Sequence, residues 1–87
     1  MKSYEQLLPK FSSEPGLIYR DMYVYPNNSV YRGQMIKRED VKYQDKIDQA
    51  TTEDTANITE YRHGYGIQYW TDGAHYEGQW CYNKAEG

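Results

Sequence analysis

Residues 62–80, RHGYGIQYWTDGAHYEGQW, decide how this chain is read. Glycine alternates there with tyrosine and tryptophan, and Ile67 is the one branched aliphatic residue. "YGIQYW" (65–70) has the period-2 character of a strand. "TDGA" (71–74) is turn chemistry, with Asp and Gly at the tight positions. "HYEGQWCY" (75–82) reads as a second strand, and "NKAEG" (83–87) turns the chain again. A hairpin in which Trp70 faces Tyr76 then sets Gln68 against Gly78, Gly66 against Trp80 and Gly64 against Tyr82. These residues share one side, because strand side chains alternate. Each bare glycine lies beside a large ring that can cover it. The opposite side carries Tyr65, Ile67 and Tyr69 against Glu77, Gln79 and Cys81.

Working outward, residues 17–36 give a second hairpin signal. Ile18, Met22 and Val24 share one parity and Tyr19, Tyr23 and Tyr25 the other, around a central Pro-Asn-Asn-Ser (26–29). Asn tolerates the left-handed backbone of a tight turn. Residues 37–60 differ: no Gly, no Pro, one aromatic, seven acids and four bases. They read as a polar insertion, helical at most over 39–49. Residues 1–16, punctuated by Pro9 and Pro15-Gly16, read as an extended N-terminal arm in which "YEQLL" can form one helical turn.

The two hairpins repeat each other. Laying 25–35 on 70–80 puts Tyr31 on Tyr76, Gly33 on Gly78, Gln34 on Gln79, Met35 on Trp80 and Asn28 on Gly73. The offset is 45, while Gly64 and Gly87 lie 23 apart. The first interval is therefore one 23-residue unit plus 22 residues, which match the polar stretch after Met35.

Residues 63–87, HGYGIQYWTDGAHYEGQWCYNKAEG, resemble a MORN repeat: Gly-x-Gly, an aromatic, a turn ending in Asp-Gly, Tyr-x-Gly-x-Trp, then the next Gly. Gly64, Gly66, Asp72, Gly73, Tyr76, Glu77, Gly78, Trp80 and Gly87 hold those places. Residues 19–37 match as a degenerate repeat, with Asn28 for the turn Gly, Met35 for the Trp and Tyr19-Arg20-Asp21 for the Gly-x-Gly. The resemblance covers about half the chain. It implies an all-β, single-layer twisted antiparallel sheet of hairpins, continuing past residue 87. It also implies a non-enzymatic scaffold in a cytoskeletal or ciliary (axonemal) assembly, cytoplasmic or in a flagellum. The contact residues expected are Tyr65, Tyr69, Trp70, Tyr76, Trp80 and Tyr82, carried on the structural glycines Gly64, Gly66, Gly73 and Gly78. The family's link to phospholipid gives a second expectation, a membrane-associated adaptor; Lys37-Arg38 followed at once by Glu39-Asp40 supports it poorly.

Composition sets bounds. The chain has 87 residues, eleven of them Tyr, two Trp and one Phe, and a net charge of −3. Tyrosine hydroxyls need water or a partner, so this content suits half-buried sheet faces that lean on neighbouring repeats or partner proteins. The acidic balance argues against nucleic acid. A single cysteine, Cys81, gives no disulfide framework and points to a reducing compartment. No apolar run approaches a membrane span, and the start lacks a signal-peptide core.

Other chemistry fits less well. "HGYGIQYW" is similar to the aromatic motif of RNA-recognition domains, but His63 and Gln68 depart from it, and only 17 residues follow Trp70. Gly64-x-Gly66 precedes a strand, not the helix of a dinucleotide site. His63, His75 and Cys81 lack the close pairs of a zinc site. His75 and Cys81, six apart on one strand, stand roughly 20 Å apart, too far for a nucleophile and base. No cofactor, metal or catalytic residue is expected.

Overall fold

The computed structural model describes residues 2–41 and 59–86. Five strands form one open antiparallel sheet in chain order: β1 (Leu17–Val24), β2 (Val30–Lys37), β3 (Glu60–Tyr69), β4 (His75–Cys81) and β5 (Lys84–Glu86). The all-β hairpin sheet expected from the repeats is what the chain forms.

The two hairpins are one structure built twice. In the β1–β2 loop the Tyr25 N–H donates to Ser29 O at 2.9 Å and the Asn28 N–H to Tyr25 O at 2.8 Å. In the β3–β4 loop the Trp70 N–H donates to Ala74 O at 2.8 Å and the Gly73 N–H to Trp70 O at 3.1 Å. Asn27 and Asp72 each accept from the backbone N–H two residues on, at 3.0 and 2.9 Å. Asn28 and Gly73 both sit at positive φ, 70° and 94°. That is the backbone position where Asn and Gly are the tolerated residues. Every one of these pairs is separated by the 45-residue offset read from the sequence.

The register departs from the expected one. Tyr69 faces His75, Gln68 faces Tyr76, Gly66 faces Gly78 and Gly64 faces Trp80. The pairing is displaced by two positions, so face assignments within β3 and β4 survive and partners change, while Tyr82 falls in the turn beyond β4. Trp70 falls in the five-residue loop. The parity read for β1 also changes, because the strand bulges between Arg20 and Tyr23. Ile18 consequently lies with Tyr23 and Tyr25 against Tyr31, Met35 and Trp80.

The described ends of the insertion meet the sheet side by side. Lys37 pairs with Glu60, and the Arg38 N–H donates to Thr59 O at 2.9 Å, so the insertion leaves and re-enters side by side. By the offsets of 45 and 23, Lys37 corresponds to Tyr82 and Glu60 to Asn83. Those two residues are the whole β4–β5 turn, both at positive φ, as a two-residue hairpin turn demands. The described start of the insertion is a 3-10 turn, Arg38–Asp40, and not the beginning of a helix over 39–49; residues 42–58 lie outside the described residues. The insertion also supplies a core residue. Val41 is buried with Ile36, Tyr61 and Tyr82.

The arm is not simply extended. Ser3 and Gln6 form a capping box around a single helical turn, α1 (Tyr4–Leu7), and a 3-10 turn follows at Leu8–Lys10. Leu7 is fully buried against Tyr65 and Ile67, with Phe11 and Tyr69 beside it. Tyr4 and Phe11 pack edge-on or tilted on Tyr19. The chain thus covers one face of its own sheet. The other face is a single layer of rings.

Candidate interaction surface

On the ring face, each Tyr-x-Gly-Gln unit folds back on itself. Tyr31 lays its ring across the strand, and its hydroxyl donates to Gln34 O at 2.7 Å. Tyr76 repeats this toward Gln79 O at 3.4 Å and donates to Glu86 O at 2.6 Å. A Cβ on Gly78 would meet the Tyr76 hydroxyl at 2.5 Å, and one on Gly66 would meet the Tyr31 hydroxyl at 2.1 Å. So the glycines are covered by rings, but Gly66 is covered by Tyr31 from the first hairpin. Trp80, assigned that role from the sequence, contributes by donating its indole N–H to Gly66 O at 3.2 Å. Gly64 backs onto Gln34, whose Oε1 a Cβ would meet at 2.5 Å. Gly73 has nothing within 4 Å and is needed only for its φ.

The six expected contact residues separate into three groups. Tyr65, Trp80 and Tyr82 are buried, Tyr69 and Tyr76 half-buried, and Trp70 exposed at 40%. Trp80 packs edge-on against Tyr31 and Tyr76. Tyr82 is not on the ring face opposite Gly64. Its turn conformation carries it over the other face, stacked on His63 at 4.3 Å. Tyr65 is closed off by Leu7, and Tyr69 stacks on His75 at 6.0 Å.

Residues that composition did not single out hold the arrangement together. Arg62 lies over Trp80 at 4.4 Å and Tyr25 at 5.3 Å. Its guanidinium donates to Gln68 Oε1 at 2.8 Å and Asn83 O at 3.0 Å, pinning the β4–β5 turn to β3. Gln34 sits at the β2–β3 bulge, where its Oε1 accepts the Tyr65 N–H at 2.9 Å in place of a backbone carbonyl. The same carboxamide exchanges two bonds with the arm: it accepts the Ser12 N–H at 2.8 Å and donates to Ser12 O at 2.9 Å. His63 Nδ1 accepts the Tyr82 N–H at 3.1 Å, so its proton is on Nε2, which meets Glu14 at 2.5 Å. Only the repeat alignment carried a sequence signal for any of these, in Gln34 and Gln79.

Several charged groups are spent on the same contacts. Lys2 pairs with Glu77 at 2.6 Å, Arg20 with Glu60 at 2.9 Å, and Arg32 with Asp21 at 3.0 Å. Glu77 is held below its ordinary carboxylate range by Lys2 and by the Tyr65 hydroxyl. Asp21 is lowered by hydrogen bonds from Tyr19 and Arg32. Burial pushes Tyr25 and Tyr65 up to about 12, and raises Tyr31 further. Among the described residues no group of three or more His, Cys, Asp or Glu could hold a metal, and no helix is long and apolar enough to cross a membrane. Comparison with family models, with curated proteins and with solved structures gives no match in any of the three.

Proposed function

We propose that this chain is a non-enzymatic scaffold of the MORN type, which holds other proteins of a larger assembly through its hairpins; a cytoskeletal or ciliary setting is the one the family resemblance suggests. The observation that carries this reading is the repetition: two hairpins, 45 residues apart, closed by the same loop hydrogen bonds and joined edge to edge. Repetition of one unit makes an extended surface. The engagement of Glu77, Glu60, Asp21 and His63 in structural pairs supports a surface role over proton transfer. Trp70, with Met22 and Val24 exposed at 69% and 55%, offers apolar area at the loop end of the sheet.

A tagged full chain, cross-linked in cell extract and read by mass spectrometry, tests this. Partner peptides joined to residues 61–82, and reduced in Trp70→Ala, are the expected result. Absence of any protein cross-link, together with co-sedimentation on anionic liposomes, would replace the scaffold with the lipid adaptor.

A further inference from the structure

We propose that Gln79 and Glu86 form a docking position for an extended peptide that carries a basic side chain two residues beyond the residue seated on Gln79. This rests on the scaffold reading and specifies one kind of partner for it.

The first hairpin shows such a position filled. Gln34 grips Ser12 through its backbone alone, taking the N–H at 2.8 Å and giving a bond to the carbonyl at 2.9 Å. Two residues on, Glu14 reaches His63 Nε2. A carboxamide that satisfies both backbone groups of one residue recognises extended chain, not a particular side chain. The neighbouring Nε2–H of His63 then selects a side chain that can accept a hydrogen bond, here the Glu14 carboxylate.

The second hairpin repeats the acceptor. Trp80 faces Ala85 as Met35 faces Arg62, and one step along, Gln79 faces Glu86; by the offsets of 45 and 23 these two correspond to Gln34 and His63, which the β2–β3 bulge leaves out of the ladder. Gln79 lies on the Tyr65 side of the sheet, with which it pairs, and that is the side the arm occupies. Yet Gln79 is exposed, and among the described residues its carboxamide has no hydrogen bond and the Glu86 carboxylate no ion pair. The donor and acceptor that hold Ser12 in one unit are therefore left open in the other.

The hydrogen-bonding polarity is reversed as well, from an N–H donor to a carboxylate acceptor. Where His63 takes Glu14, the second unit presents Glu86. A segment like the arm, with its acidic residue two positions on, is repelled there, and a lysine or arginine is drawn in. Lys84, on the same face two residues earlier, reinforces the direction by disfavouring a basic group at the turn end.

The probe is a peptide of residues 10–16, KFSSEPG, and the same peptide with Glu14→Lys, titrated into the isotope-labelled full chain. So few exposed contacts give binding no tighter than ~1 mM. The Glu14→Lys peptide is expected to shift the Gln79 side-chain amide signals and to bind about threefold more tightly than the parent. Gln79→Ala removes those shifts, and Glu86→Lys inverts the preference. Both positions are exposed, so neither variant should unfold the sheet. Shifts at Gln34 in place of Gln79, no shifts, or an unchanged preference in Glu86→Lys would overturn the site. If the peptides fail while cross-linked partners are still captured, the docking position alone falls; loss of both sinks the scaffold reading too.

Discussion

The first and second hairpins share a loop, a Tyr-x-Gly-Gln fold-back and the register next to the loop, yet they live in different surroundings. The first is clamped by the arm and interrupted by the insertion. The second is closed by a two-residue turn and leaves Gln79 and Glu86 open. Asp21 stands in β1 where Gly66 stands in β3, and β1 bulges there while the β3–β4 ladder runs unbroken. The comparison teaches that a local code fixes the hairpin, while what lies against its faces decides which copies of a residue are structural and which are available.

The sharpest break comes at Gly66. Any Cβ there collides with the ring of Tyr31, which is fully buried and tied to Gln34, so the ring cannot step aside. Gly66→Ala should cost ~3 kcal/mol or more and tear the seam between hairpins, read by denaturant unfolding. Trp80→Ala, which removes the packing on Tyr31 and Tyr76 and takes from Arg62 the nearer of its two rings, should cost about 3 kcal/mol. A near-UV dichroism spectrum unchanged by that substitution would contradict the ring-face packing.

Removing residues 38–59 makes the first junction resemble the second. With Lys37→Asn and Glu60→Gly to suit a two-residue turn, the sheet should persist. It should lose about 1–2 kcal/mol, because Val41 leaves its cluster and Glu60→Gly gives up the pair with Arg20. Unfolding would show that the insertion does more than fill one corner. The loops can be exchanged more gently. Gly73→Asn copies Asn28 and should change stability by under ~0.5 kcal/mol, whereas Gly73→Val, at the same positive φ, should cost about 1–2 kcal/mol.

The smallest effect is electrostatic. The folded state lowers the Glu77 carboxyl, so its contribution is complete above the usual range near pH ~4 and is lost as pH falls through the lower folded value. Wild type and Glu77→Gln should differ by under ~1 kcal/mol at neutral pH and converge in acid. At the other extreme Tyr65 is raised to about 12, so its hydroxyl bond to Glu77 is present at and below the ordinary tyrosine range and fails as pH climbs through the raised value.

Much of this was legible in advance. The turn residues and the 45-residue offset located both hairpins, and alternation named the ring face, since these are local properties of backbone and parity. The partner of each ring was not legible. Tyr31 reaches Gly66 from another hairpin, and the bulge in β1 reverses the parity of Ile18 relative to Tyr23. Nor could the arm's role be seen, because Leu7 is one leucine in a polar segment until the Tyr65–Ile67 surface exists to bury it.

The sequence by itself determined the strands, their turns, the glycine-under-ring chemistry and the place where an insertion interrupts the repeat. Those follow from φ preferences and period-2 alternation within a few residues. The tertiary structure alone decided the register, the ring that covers each glycine, the docking of the arm and the burial of Tyr65 and Tyr82. Those depend on contacts between segments tens of residues apart, where packing and hydrogen bonding choose among pairings that the local pattern leaves equal.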